Sequence, residues 1–86
     1  MEMNYHNGDN IPLEDQMLLS LYREYKDNGK DGFFQLSATI SNNAYWRNVA
    51  DCLYKKEFIE YSNYSSYSSM GRITQNGIIY IEKNYG

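Results

Sequence analysis

The sequence predicts an α+β domain with a core of three helices, a sheet of two to three strands and a short C-terminal helix. Two observations predict it. Apolar residues recur at helical spacing in two long segments, and two short runs of strand-forming residues flank a polar tip. With 86 residues the chain has room for one hydrophobic core, and an aromatic content of 16% is too high for a disordered segment. We therefore expect one folded domain over residues 12–86, preceded by a flexible tail at residues 1–11.

Composition excludes several kinds of site. The single cysteine, Cys52, cannot form an internal disulfide, and together with the single histidine, His6, it cannot supply the four ligands of a zinc site. Because no histidine lies near Cys52 in the sequence and no glycine-rich phosphate loop occurs, we expect no enzymatic activity, no cofactor and no metal. No apolar run approaches the roughly 20 residues that cross a bilayer, and residues 1–10 have no signal-peptide pattern, which predicts a cytoplasmic protein without a membrane partner.

The first helix is predicted over residues 13–27. Pro12 is favourable in a first helical turn, and the acidic residues that follow it interact well with the positive end of the helix dipole. The pair Asn28-Gly29 offers a left-handed end to the helix. Apolar side chains then follow the spacing of one helical face, at Met17, Leu18, Leu21, Tyr22 and Tyr25.

A short apolar segment follows the first helix. Residues 33–36 suit either a brief strand or an extended entry into the next helix. Ser37 can cap a short second helix that carries Ala38 and Ile40. The polar residues 41–43 would then form a tight turn.

A longer amphipathic helix is predicted over residues 44–56, with Asn42 or Asn43 as its cap. A short helix, a polar turn and an amphipathic helix together form a helix-turn-helix. The predicted inward face consists of Trp46, Val49, Ala50 and Leu53, and the predicted outward face consists of Tyr45, Arg47, Asn48, Asp51 and Lys55.

A β-hairpin and a last helix complete the chain. Residues 58–62 and 70–74 are plausible strands on either side of the tyrosine- and serine-rich residues 63–69. Residues 75–84 are rich in isoleucine, so propensity alone leaves helix against strand undecided. Thr74 can act as an N-cap, which favours a helix.

Two stretches of the second half resemble the winged-helix family. In residues 53–59, a leucine near the end of the predicted helix is followed five and six residues later by an apolar pair, like the pair that opens the first wing strand. In residues 73–82, an Ile-Thr pair is followed by a glycine and then by aromatic and aliphatic residues, like the end of the second wing strand and a terminal helix. The resemblance covers about residues 12–84 and is greatest to compact bacterial and phage winged-helix proteins, including regulators of the MarR and PadR type.

The sequence departs from the family pattern in three places. Glu57 replaces the usual glycine before the first wing strand. The second helix is short, and the flanking helices that dimerise the larger regulators are missing. These departures bear on dimerisation more than on the fold.

The resemblance implies that the third helix lies in the major groove of double-stranded DNA. Side chains of its N-terminal half would contact base edges, where arginine can pair with guanine and asparagine with adenine, and the preceding turn would contact phosphate. A solvated helix face without a partner is the alternative. The expected base contacts are Asn43, Tyr45, Arg47 and Asn48, and the expected phosphate contacts are Ser41, Asn42 and Lys55. Asp51, on the same side, would repel phosphate.

The predicted wing combines tyrosines with serines. Tyr61, Tyr64 and Tyr67 offer large contact area and the serines offer adaptable hydrogen bonds, so the wing suits a protein partner about as well as DNA. Arg72 on the returning strand is the basic residue expected to reach the minor groove or the backbone. An exposed loop of low complexity without a partner is the alternative.

The charge balance is unusual for a protein that binds nucleic acid. The net charge is −3, whereas such domains are commonly basic. Residues 1–42 hold three basic and seven acidic side chains, for a net charge of −4, and residues 43–86 hold five basic and four acidic, for a net charge of +1. The half expected to face DNA is therefore the less acidic one.

The leading hypothesis is a DNA-binding transcriptional regulator that acts as a homodimer, since a small acidic monomer makes few phosphate contacts. The alternative is a protein-interaction module, such as an adaptor or a mobile-element inhibitor, that uses the acidic surface and the tyrosine wing. A structural part of a larger assembly is a third interpretation. A continuous positive strip through Arg47, Lys55, Lys56 and Arg72 would favour DNA, and interruption by Asp51, Glu57 and Glu60 would favour a protein partner.

Overall fold

The structure, a computed structural model, describes residues 11–29, 32–40, 44–62 and 68–86. These residues form three α-helices, one 3-10 turn and a three-stranded antiparallel sheet, which confirms the α+β class. The elements are α1 (Leu13–Asn28), β1 (Phe34–Gln35), the 3-10 turn (Leu36–Ala38), α2 (Trp46–Lys55), β2 (Ile59–Tyr61), β3 (Met70–Ile73) and α3 (Gln75–Tyr85). Apart from Ile11, the predicted tail lies outside the described residues.

Helix α1 confirms the first predicted helix. The carbonyl of Pro12 accepts the first helical hydrogen bond, from the backbone N–H of Gln16 at 2.9 Å. At the other end Gly29 adopts a φ of 93°, which favours glycine, and donates its N–H to the carbonyl of Tyr25. Met17, Leu18 and Leu21 are fully buried on the predicted face.

The second predicted helix is shorter than expected. It is a single 3-10 turn, and Ser37 lies inside it, so the prediction that Ser37 caps a helix is wrong. The physical reason is that β1 pairs with β3, and the N–H of Leu36 continues this pairing by donating to the carbonyl of Ser69 at 2.9 Å. The hydroxyl of Thr39 then closes the turn by donating to the carbonyl of Leu36 at 2.6 Å.

Helix α2 begins at Trp46, two residues later than predicted, and Tyr45 is its N-cap residue. The predicted caps, Asn42 and Asn43, lie outside the described residues. Three of the four predicted inward residues are buried, and Trp46 packs against the core while half-buried. The buried three are Val49, Ala50 and Leu53.

The end of α2 is a Schellman motif centred on Glu57. The N–H of Glu57 donates to the carbonyl of Tyr54 at 2.9 Å, and the N–H of Phe58 donates to the carbonyl of Leu53 at 3.0 Å. Glu57 has a φ of 66°, in the left-handed region that glycine usually occupies. The chain thereby reverses directly into β2.

The sheet has the order β1-β3-β2, so β3 is its central strand. Residues of β2 and β3 pair as Ile59 with Ile73, Glu60 with Arg72 and Tyr61 with Gly71. The sequence predicted two or three strands, and the sheet has three. The third strand comes from the two residues of β1.

Helix α3 resolves the choice between helix and strand at the C-terminus. Thr74 caps it as predicted, since its hydroxyl oxygen accepts from the N–H of Gly77 at 3.2 Å. The first turn of α3 lies so close to the residue before β2 that a Cβ on Gly77 would collide with the carbonyl oxygen of Phe58. Within the described residues, no helix is long and apolar enough to cross a membrane.

Candidate nucleic-acid interface

The outward face of α2, together with its N-cap residue, consists of Tyr45, Arg47, Asn48, Asp51 and Lys55, on the side opposite the buried residues of the helix. Tyr45 is 68% exposed, and Asn48 and Lys55 are also exposed. Because Asn48 and Lys55 are seven residues apart, about two helical turns separate them along one side of α2. The structure therefore places four of the predicted contact residues on α2 or at its N-cap, and three of them are exposed to a partner.

Arg47 is half-buried. Its guanidinium carbon lies 4.5 Å from the centroid of the Trp46 ring, a cation–π geometry that limits the freedom of the side chain. A restrained arginine loses less conformational entropy when it forms two hydrogen bonds with a base or phosphate.

Tyr61 is buried rather than exposed on the predicted wing. Its side chain is only 1% exposed and belongs to the core, so the prediction that it contacts a partner from the wing is wrong. The alternation of β2 explains this, because Tyr61 lies two residues after the buried Ile59 and points to the same face of the strand. That period of two is visible in the sequence and was a signal for burial.

The hydroxyl of Tyr61 donates to Oδ1 of Asp51 at 2.5 Å. Burial raises the pKa of Tyr61, and the hydrogen bond to Asp51 raises it further. The ring of Tyr61 also packs on that of Tyr54, with centroids 4.9 Å apart. The Asp51 carboxylate, expected to repel phosphate from the outward face, is therefore bonded to the hairpin.

Arg72 lies within the sheet, opposite Glu60. Its Nε donates to Oε2 of Glu60 at 2.9 Å, and its guanidinium carbon lies 4.5 Å from the centroid of the Phe33 ring. Both charged side chains are about 30% exposed, at 27% for Arg72 and 33% for Glu60. This pairing reduces the positive charge that Arg72 would offer to DNA.

Lys56 forms an ion pair with α1. Its Nζ donates to Oε1 of Glu14 at 2.6 Å, and this bond is the main cause that raises the pKa of Lys56. Arg72 is paired with Glu60, so acidic partners interrupt the positive strip whose continuity would have favoured DNA. Glu14 is not among the acidic residues that the sequence suggested for this interruption. Arg47 and Lys55 are the cations of the outward face of α2.

An open groove of about 290 Å³ runs beside the outward face, between α2 and the beginning of α1. It is mostly apolar, and the exposed Cys52 lies in its wall. Its lining residues are Pro12, Leu13, Glu14, Asn48, Val49 and Cys52. Sequence patterns do not indicate this groove, because its two walls are more than 30 residues apart in the chain.

A second polar cluster, between α1 and α3, has a structural role. Asp15 is 9% exposed and accepts hydrogen bonds from the hydroxyls of Tyr80, at 3.0 Å, and Tyr85, at 2.5 Å. Burial is the first cause that raises the pKa of both tyrosines, and the bond to Asp15 is the second. The cluster ties the first turn of α1 to the C-terminal half of α3.

Five of the predicted site residues lie outside the described residues. They are Ser41, Asn42 and Asn43, before α2, and Tyr64 and Tyr67, between β2 and β3. Within the described ranges, no three His, Cys, Asp or Glu side chains are grouped as a metal site would require.

No family model matches the sequence, and neither a curated protein nor a solved structure matches it.

Proposed function

We propose that this chain is a winged-helix protein that binds double-stranded DNA through the outward face of α2 and regulates transcription. One observation carries the proposal. Helix α2 has a fully packed side at Val49, Ala50 and Leu53 and an opposite side whose exposed polar residues can enter a major groove.

Two backbone features support the winged-helix part of the proposal. Glu57 stands at the position where the family carries glycine, and its backbone has the left-handed conformation that glycine adopts most easily. Gly77 is required by the close approach of α3 to the Phe58 carbonyl, which accounts for the glycine three residues after Thr74. Both features follow from how tightly α2, the hairpin and α3 join.

The outward residues have distinct roles in this proposal. Arg47 pairs with guanine and Asn48 with adenine, and each good pair contributes about 1–3 kcal/mol of discrimination. Tyr45, at the N-terminal end of α2, contacts a sugar or a base edge. Lys55, two turns further along, contacts phosphate and sets the register without reading sequence.

Charge determines how such binding depends on salt. In this proposal Lys55 supplies the phosphate neutralisation from α2, while Lys56 and Arg72 are paired with carboxylates. One neutralised phosphate corresponds to a slope of log K against log salt of about −1 per subunit, and a dimer doubles it to about −2. Dimerisation is therefore part of the proposal, since one subunit gains little from counterion release.

The test is a titration of the chain against a pool of random duplex DNA at several salt concentrations. We expect binding at low salt, a slope within the range above, and a loss of about tenfold in affinity for Lys55→Ala or Asn48→Ala. Lys83→Ala is the matched control, since Lys83 is an exposed lysine in the last turn of α3 and is not part of the outward face of α2. Absence of binding even at low salt, or equal losses in the Lys55 and Lys83 variants, would contradict the proposal.

The ion pairs of Lys56 and Arg72 favour a second candidate, a module that binds a protein through the same face. A protein partner gains from the exposed tyrosines and does not need a positive strip. Its test is affinity capture from nuclease-treated lysate with the wild-type chain and with a Tyr45→Ala, Asn48→Ala double variant. A protein retained by the wild type and lost by the variant supports this candidate, and retention by both contradicts it.

A further inference from the structure

Asp51 occupies a position where a negative charge would oppose DNA binding. It lies on α2 four residues after Arg47 and four residues before Lys55, so one helical turn separates it from each cation. A carboxylate turned toward solvent at this position would be close to the DNA contacts proposed for Arg47 and Lys55. Its orientation therefore affects what the outward face of α2 can bind.

Tyr61 controls that orientation through a direct contact. Its hydroxyl donates to Oδ1 of Asp51 at 2.5 Å, and a hydrogen bond to an ionised acceptor is among the stronger kinds in proteins. The bond draws the carboxylate toward β2.

The tyrosine itself has little freedom to move. Its backbone pairs with Gly71 in the sheet. The ring packs on Tyr54, and the side chain is 1% exposed. A group fixed by strand pairing and by packing can hold a flexible carboxylate in one position.

We infer that Tyr61 is a positioning residue for DNA binding: it holds the Asp51 carboxylate against the hairpin and so keeps a negative charge away from the phosphates. This role depends on the DNA binding proposed above.

The test is a double-mutant cycle on DNA affinity with four proteins: wild type, Tyr61→Phe, Asp51→Ala and the double variant. Tyr61→Phe keeps the ring and removes only the hydroxyl. We expect it to weaken binding about fivefold at low salt, since the released carboxylate then faces the phosphates, and we expect a smaller loss at high salt. In the Asp51→Ala background, where no carboxylate remains, Tyr61→Phe should leave affinity unchanged.

A merely structural role of the hydroxyl would give a different result, because it would weaken binding equally in both backgrounds. Tyr22→Phe is the matched control: Tyr22 donates its hydroxyl to Oε2 of Glu82 at 3.0 Å, in a contact between α1 and α3. It should leave affinity unchanged. Circular dichroism and thermal unfolding of each variant show that affinities are compared between folded proteins.

The outcomes separate the two proposals. If none of the four proteins binds DNA, DNA binding fails and this inference fails with it. If the wild type binds and Tyr61→Phe has the same effect with and without Asp51, or no effect in either background, DNA binding stands and the positioning role is refuted.

Discussion

Replacing Glu57 by glycine should stabilise the protein. Glu57 is the residue after the C-cap of α2, and its φ of 66° places it in the left-handed region, where the Cβ of an L-residue is crowded by its own backbone. Three hydrogen bonds hold it there. Its N–H donates to Tyr54, the N–H of the next residue donates to Leu53, and its carbonyl accepts from the hydroxyl of Thr74 at 2.6 Å.

The size of the effect follows from two opposing terms. Relief of the left-handed conformation contributes about 1–2 kcal/mol to the folded state. Glycine loses more backbone entropy on folding than other residues, which costs about 0.5–1 kcal/mol. The net gain for Glu57→Gly is therefore about 0.5–1 kcal/mol, or a rise in melting temperature of about 3–6 °C for a domain of this size.

Urea unfolding followed by circular dichroism measures this gain, with Glu57→Ala as the control. Alanine removes the carboxylate but keeps Cβ, so its free energy of unfolding should stay within about 0.3 kcal/mol of the wild type. If alanine stabilised as much as glycine, the gain would come from charge removal and the conformational reasoning would be refuted. A destabilising glycine would refute it equally.

Three further predictions concern stability. Gly77→Ala should lower the free energy of unfolding by about 2 kcal/mol, because the new Cβ meets the carbonyl of Phe58. Urea unfolding measures this loss, and a stabilised variant, which alanine gives at an unhindered helical site, would contradict it. Asp15→Ala should cost about 2 kcal/mol in the same assay, because two tyrosine hydroxyls lose their acceptor; an unchanged midpoint would contradict this. Because burial raises the pKa of Tyr61 above 10.0, its contribution to stability is complete below about pH 10 and is lost as pH rises further, since the unfolded tyrosine ionises first. The urea midpoint should therefore fall above about pH 10, and Tyr61→Phe should reduce that fall; an equal fall in both proteins would refute the linkage.

Local patterns in the sequence determined most of the secondary structure. The apolar spacing of α1, the inward face of α2 and the cap at Thr74 depend on residues within one or two helical turns of each other, and all three were predicted correctly. The cap at Ser37 was predicted by the same reasoning and is wrong. The residues just before Ser37 pair with β3 as a strand, because pairing between distant segments overrides local propensity.

The electrostatics of the candidate interface depended on tertiary structure. The bond between Lys56 and Glu14 joins residues 42 positions apart, and outside the interface the structural bonds from Tyr80 and Tyr85 to Asp15 span 65 and 70 positions. No periodicity relates such pairs, because their distance is set by how helices pack rather than by spacing along the chain. Tyr61 depends on both kinds of information. The alternation in β2 indicated that its side chain is buried, but only the packing of β2 beside α2 brings Asp51 to it as a partner.

The sequence by itself determined which side of α2 faces outward, because its apolar residues lie on one side and are buried, and its polar residues lie on the opposite side. Tertiary structure alone decided how much positive charge remains on that side. The sequence counts Lys56 and Arg72 as cations available to DNA, and the folded chain pairs each with a carboxylate brought close by packing or strand register. Charge along a chain is a local property, but the potential at a surface depends on every charged group nearby, including those from distant segments.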